Sequence, residues 1–215
     1  MLFKTMGRVI TTLEAQKRNS ARLNVHLDGV YAFSLARIVA AWLSVGRELS
    51  DEEIEALRRE DSFEEAARVA LRFIAYKPRT TAELRKRLID GKLSEKAIEH
   101  TILRFIETGL INDGQYARDW VDNRQVFHPR STRMIEYELR RKGVVNADIE
   151  AALADVSDDD QMAYQLANQK INRYANLDLP EFRSKLGGYL ARRGFSYEVI
   201  ARVVNRLWSE RIKCD

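Results

Sequence analysis

Cysteine, proline and glycine are scarce in this sequence, and each shortage narrows what the chain can be. The one cysteine, Cys214, allows neither an intrachain disulfide nor a thiolate metal cluster. Three prolines and ten glycines in 215 residues leave long stretches free to run as uninterrupted helix. No apolar run approaches the roughly 20 residues that cross a bilayer. The opening "MLFKTMGRVITT" lacks the apolar core and cleavage site of a secretory signal. A reduced, cytoplasmic setting without membrane contact is expected.

Chemistry-bearing clusters are missing as well. His26, His100 and His128 fall in a predicted strand, helix and loop, with no pairing at ligand spacing, so no metal site is expected. The run Asp158 to Asp160 sits at a predicted helix start, where acidic residues match the positive end of the helix dipole and need no cation. "KLGGYL" holds the only adjacent glycine pair, and its flanking leucines place Gly187 and Gly188 inside a helix, at a close helix–helix approach. No phosphate loop, cofactor motif or nucleophile–base pair emerges, and an enzyme is not expected.

What is present is a ruler. Pro78, Pro129 and Pro180 stand 51 residues apart, and a step of 51 carries Leu84 to Ile135 and Leu186, and Leu88 to Leu139 and Leu190. The same step carries Ile98 to Ile149 and Ile200, and Val69 to Trp120 and Ile171; Gly143 and Gly194 align, with Gly91 one place early. Self-similarity at a fixed period marks a repeat architecture.

Each copy reads as three helices. In the first, Ser62 with Glu65 and Thr80 with Glu83 form capping boxes, Ser94 opens the third helix and Gly109 ends it. In the second, Asp113, Ser131 and Asn146 open the helices. In the third, the first helix runs from Asp158 through "QMAYQLANQKINRYA", the second has Pro180 in its first turn, and Ser196 opens the last. Before the repeats, "VITTLEA" and "RLNVHL" alternate with period two around a hairpin turn at Asp28–Gly29. "SLARIVAAWL" has helical spacing, and Ser50 with Glu53 boxes the start of "DEEIEALRRE".

The expected fold is mainly α: three tandem three-helix repeats in an elongated curved array, preceded by a small antiparallel β meander with two helices. The expected boundaries are 1–61 for the leading module, then 62–111, 112–157 and 158–215 for the repeats.

The formal net charge is +4, and the 9 basic and 9 acidic residues through Asp61 cancel, leaving 27 and 23 after it. Within that half, cations gather near the end of the second helix of each copy: Arg85, Lys86 and Arg87; Arg140, Arg141 and Lys142; Arg192 and Arg193. Arg79 and Arg130 follow aligned prolines, and Arg133 lies in the same stretch. Two explanations stand open. Cations near a helix C-terminus complement the dipole, at about 0.3–1 kcal/mol each; equally, a row of charge spaced by the repeat can follow a polyanion or an acidic protein groove. Among Tyr116, Trp120, Phe127 and Tyr137, Trp120 is expected in the core by its alignment, and Tyr137 remains a candidate for stacking on a base.

"RTTAELRKRL", "ETGLINDGQYARDWV", "IEYELRRKGV" and "KLGGYLARRGFSYEVI" resemble the RecX regulatory proteins of bacteria, and "RLNVHLDGVYAFSL" with "VGRELSDEEIEAL" resembles the N-terminal segment of the longer members. The resemblance covers essentially the whole chain. It departs at "FHPRSTRMI", where the family usually has a glycine- and lysine-rich stretch. It implies a non-enzymatic, cofactor-free modulator of the RecA recombinase, involved in recombination, DNA repair and the SOS response. Such a protein lies along the groove of the RecA–DNA filament and suppresses ATP hydrolysis, filament growth and strand exchange. Weak, sequence-blind contact with single- or double-stranded DNA and a monomeric state are further expectations. A different class, a stand-alone transcription regulator whose tight-turned helices act as helix-turn-helix units, is the competing one.

Overall fold

A computed structural model describes residues 7–156, 158–174 and 176–212. Cys214 lies outside the described residues. These divide into two units: one holds the described residues up to Pro78 together with Leu84–Ile111, the other Arg79–Glu83 together with the described residues from Asn112 onward.

In the first unit the period-two segment forms an antiparallel sheet of order β3-β2-β1-β4, from β1 (Arg8–Gln16), β2 (Asn19–Leu27), β3 (Val30–Ala36) and β4 (Glu48–Leu49). The hairpin turn is where the sequence puts it. Asp28 and Gly29 have φ of 51° and 83°, and Leu27 pairs with Val30; two left-handed residues match the twist of the flanking strands. Alternate side chains Val25, Leu27, Phe33 and Leu35 join Ile10 and Leu49 in one core. The expected helix at "SLARIVAAWL" is absent: Leu35 belongs to β3, and residues 37–42 are turns. Only ten residues separate Ala36 from Arg47, whose carbonyl accepts from Ile10 N, so the chain must double back to place β4 beside β1. That return path overrides the local helical spacing and leaves Ile38 and Trp42 exposed.

The capping box at Ser50 is present: its hydroxyl accepts from Glu53 N, and Glu53 accepts from Ser50 N. Helix α1 (Asp51–Tyr76) then continues straight through Ser62, so the expected helix start there is incorrect. The reason lies at the preceding residue. The largely buried Asp61 carboxylate accepts from Ala36 N and pairs with Arg22 at 2.7 Å, tying the middle of the helix to β2 and β3. One helix therefore serves two cores, with Ile54 and Leu57 under the sheet and Ala67 and Ala70 against the first repeat. Lys77, before Pro78, is extended (φ −166°, ψ 160°), which ends the helix as the proline requires.

Helices α2 (Thr81–Asp90) and α3 (Glu95–Glu107) complete the first repeat. The second comprises α4 (Asp113–Val126), α5 (Thr132–Arg141) and α6 (Asn146–Leu153). The third comprises α7 (Asp159–Asn168), α8 (Leu179–Ala191) and α9 (Tyr197–Ile212). Two starts shift slightly: Asn112 rather than Asp113 caps α4, and Val145 precedes α6 without a side-chain cap. The apolar columns are the cores. Leu84, Ile135 and Leu186 have 0% exposure, as do Leu88, Leu139 and Leu190, and each set falls in its own repeat's cluster; each such side chain contributes about 1.5–3 kcal/mol by leaving water. The left-handed column falls at Lys92, Gly143 and Gly194 (φ 57°, 79° and 89°), so in the first copy the lysine, not the early Gly91, makes the turn.

The ruler fails at one place. Helix α7 begins 46 residues after α4, and the first helix of the third copy stops at Asn168, before a separate 3-10 turn at Ile171–Tyr174. Ile171 therefore lies beyond the helix that its alignment with Trp120 implied. The connection into α8 spans residues 169–178, against 127–131 in the second copy, and this longer connection restores the spacing.

Within the second unit the same joint occurs twice. Thr80 Oγ1, with its residue fully buried, accepts from Glu83 N and donates to the Lys142 carbonyl at 2.7 Å. The equally buried Ser131 caps α5 and donates its own N–H to the Arg193 carbonyl at 3.0 Å. The backbone N–H groups of Thr81 and Thr132 donate to Asp113 and Asp159, each at 2.8 Å. Helix ends expose amides and carbonyls without intrahelical partners, and here each end completes the other. Gly143 and Gly194 lie in the contact: a Cβ on Gly143 would overlap Ala82, and one on Gly194 would come within 2.7 Å of Met134 Cβ and 2.8 Å of Ser131 Oγ.

Gly109 is also left-handed (φ 70°) but has open space around its missing Cβ. Gly109→Ala is therefore expected to cost only the left-handed strain, about 1–2 kcal/mol. Gly143→Ala adds a steric clash at the joint and is expected to cost about 1–3 kcal/mol more. Urea denaturation of the two variants checks this; equal midpoints would show that the joint is loose.

Candidate functional site

The eleven candidate cations divide into those the fold occupies and those it leaves available. Arg85 is occupied, its guanidinium pairing with Glu95 at 3.1 Å and also with Glu99. Lys142 is occupied by Glu83 at 2.6 Å, and Arg140 by Glu136 and Asn146. Arg130 donates to the Arg192 carbonyl at 3.2 Å and lies 3.7 Å from Glu138. Arg79, half-buried at the equivalent position, adds positive field at Glu83. Arg193 lies 4.0 Å over the Tyr189 ring. The side chains of Lys86, Arg87, Arg133, Arg141 and Arg192 are exposed and make no ion pair among the described residues. The dipole explanation and the recognition explanation thus each account for a part of the set.

In the second repeat a cleft of about 500 Å³ collects Arg141 and Lys142 with Glu83, Trp120, Arg124, Met134, Tyr137 and Glu138. Helices α4 and α5 build it. Trp120 and Arg124, one turn apart on α4, both donate to Glu138 Oε2, at 2.9 and 2.6 Å. Arg124 lies 4.2 Å from the indole centroid and the Lys142 ammonium 5.6 Å from it. Trp120 is therefore not a core residue: it is half-buried, against the second core on one side and in this cleft on the other. Cations already engage its ring, whereas Tyr137 is 55% exposed, with Arg141 near its face. Arg124 escaped sequence reasoning; its only signal is the four-residue spacing from Trp120.

Burial opposes ionisation of Glu83, but the hydrogen bond and charge of Lys142, the Thr80 N–H and the Arg79 charge outweigh it and hold the carboxyl below the usual carboxylate range. The hydrogen bond to Glu83 lifts the Lys142 ammonium above its usual range, against desolvation. Burial raises the neighbouring Tyr116 phenol. Nothing in the cleft pairs a nucleophile with a base, and among the described residues no group of His, Cys, Asp and Glu has the geometry to hold a metal ion. The three carboxylates of Asp158 to Asp160 diverge: Asp158 precedes α7, Asp159 accepts from Thr132, and Asp160 pairs with Arg202 at 2.6 Å. Among the described residues no helix is long and apolar enough to cross a membrane.

A group with a depressed folded pKa stabilises the fold above its unfolded pKa and loses that contribution as pH falls through the folded value. Glu83→Gln is accordingly expected to lower the melting temperature at neutral pH by about 2–4 °C, for a half-exposed pair worth about 1 kcal/mol. The gap should narrow as pH falls below the ordinary glutamate pKa of about 4.3 toward the depressed folded value, and so be smaller at pH 3 than at neutral pH. Calorimetry at both pH values checks this; a gap independent of pH would assign the effect to packing.

Comparison with known proteins covers nearly all of this architecture. Family models match at residues 8–50 (Regulatory protein RecX N-terminal domain), 66–105 (RecX, first three-helix domain), 112–153 (RecX, second three-helix domain) and 158–204 (RecX, third three-helix domain). The regulatory protein RecX of Leuconostoc mesenteroides is 29% identical over 205 residues, 94% of this chain and 76% of its own. That of Streptomyces coelicolor is 35% identical over 152 residues, 70% of this chain and 81% of its own. A crystal structure of regulatory protein RecX matches with a TM-score of 0.70 at 29% identity, over 92% of this chain and 99% of that one. The RecX structure from Lactobacillus salivarius matches with a TM-score of 0.61 at 27% identity, over 69% and 97%. With the N-terminal module and all three repeats matched in order, the chain belongs to the RecX family of regulatory proteins.

Proposed function

We propose that this chain is a non-enzymatic regulator of the RecA recombinase, a cytoplasmic monomer that binds the RecA–DNA filament and restrains ATP hydrolysis, filament growth and strand exchange. The observation that carries the reading is that all three repeats and the leading module follow the RecX pattern while successive copies keep uncompensated cations near the ends of α2, α5 and α8. Lys86, Arg87, Arg133, Arg141 and Arg192 are the residues proposed to meet the filament. Each exposed contact is weak alone, worth about 0.2–1 kcal/mol, but several engaged at once raise avidity. A polymer of RecA protomers offers repeated acceptors to a repeated donor.

The test is RecA-dependent ATP hydrolysis on single-stranded DNA with increasing amounts of this protein. The rate is expected to fall. The variant Arg133→Glu, Arg141→Glu, Arg192→Glu leaves Glu83–Lys142 and both joints intact, and is expected to raise the half-inhibiting concentration about tenfold, equivalent to about 1.4 kcal/mol. Undiminished inhibition by that variant, with unchanged helical circular dichroism, removes these cations from the mechanism. Tight, sequence-selective duplex binding without RecA would instead make the chain a stand-alone DNA-binding regulator.

A further inference from the structure

The third repeat departs from the first two at the connection into α8, and that departure builds a cleft. Residues 169–178 make the link, where 77–80 and 127–131 serve the earlier copies. Through the 3-10 turn, the longer link brings Lys170, Arg173 and Tyr174 opposite Lys185, Tyr189 and Arg192 of α8, around a cavity of about 550 Å³. No carboxylate lines it, and none of the four cations makes an ion pair among the described residues. Two other clefts of this unit that gather several cations are compensated. Glu83 and Glu138 face the cations of the second repeat, and Asp160 pairs with Arg202 beside α7.

The substitutions on the helix itself point the same way. One step of 51 back from Lys185 is Met134 and two steps back is Glu83; one step back from Tyr189 is Glu138. Both carboxylates that compensate the second-repeat cleft thus have a lysine or a tyrosine as their counterpart in the third. Packing does not demand this, because the core residues Leu186 and Leu190 are unchanged in character from Leu84, Ile135, Leu88 and Leu139. Lys185, Tyr189 and Arg192 follow at spacings of four and three, so they share one face of α8. The two cations stand about 10 Å apart along the axis, with the ring between them. Arg193 backs that ring at 4.0 Å and adds a fifth positive charge beside the cleft.

We propose that this cleft binds a single nucleic-acid strand. The cations take backbone phosphates, and Tyr174 and Tyr189 meet unpaired bases, a combination that favours single strands without regard to sequence. Tyr174 and Tyr189 pack against the core of the third repeat and also line the cavity, so their rings offer unpaired bases a surface that an acidic protein segment would not use. The inference goes beyond the RecA reading and does not depend on it, since it concerns this chain alone.

Fluorescence anisotropy of a labelled oligo-dT strand with the full-length protein, in the absence of RecA, tests it. The double variant Lys185→Glu, Arg192→Glu is expected to lower affinity at least tenfold. The slope of log affinity against log salt should shrink by about 1.4, two phosphate contacts at about 0.7 each. The neutral pair Lys185→Gln, Arg192→Gln should give a smaller loss in the same direction, and circular dichroism and melting should match the parent chain for both. Lys17→Glu with Arg18→Glu, two exposed cations between β1 and β2, should change affinity less than twofold. Unchanged affinity in the α8 variants overturns the site. An equal loss for a duplex of the same length overturns the preference for a single strand, and displacement of the strand by poly-glutamate at matched charge overturns nucleic acid in favour of an acidic protein.

Discussion

Two buried helix ends that complete each other are the constraint on which the repeats depend. A helix leaves unpartnered amides at its start and carbonyls at its finish, and burying either without a partner costs about 1–3 kcal/mol. At Thr80–Glu83 and again at Ser131–Met134, the start of one copy's second helix supplies a donor to the last carbonyls of the next copy's second helix. Asp113 and Asp159 accept the first free amides in return. Because the partners are backbone groups, the joint tolerates a change from threonine to serine and even a change in which atom donates. It does not tolerate bulk where the chain turns, and this is where Gly143 and Gly194 stand.

The joint also explains why basic residues gather where they do. The finish of a second helix carries the negative end of its dipole and lies against the start of its neighbour, so cations there are favoured on structural grounds. Lys142 and Arg130 are held in that way, by Glu83 and by a carbonyl with Glu138 nearby. Arg133, Arg141 and Arg192 stand a turn or less away and are left facing solvent. Structure and recognition thus draw on one cluster, and residues adjacent in sequence have different roles.

Much of this was legible in the sequence. A period of 51 identified the cores, because Leu84 and its two counterparts must be apolar in every copy, and capping boxes and left-handed glycines marked most helix boundaries within a residue. The misses share a cause: the deciding contact comes from far along the chain. Ser62 has the chemistry of a cap but sits inside α1, because Asp61 is held by β2 and β3. "SLARIVAAWL" has helical spacing but must turn to deliver β4. Trp120 aligns with core positions, yet Glu138 draws its indole nitrogen into a cleft. Which cations are paired across the joint was not legible, since Glu83 and Lys142 are 59 residues apart. The lengthened connection before α8 was hidden because the proline spacing stays constant across it.

Hydrogen exchange of the full-length protein, alone and on preformed filaments of RecA on single-stranded DNA, tests the central claim most directly. If the available cations of successive repeats carry the interaction, amide exchange should slow in α2, α5 and α8, with the N-terminal sheet unchanged. Protection confined to the sheet, or exchange unaltered throughout the chain, would contradict it.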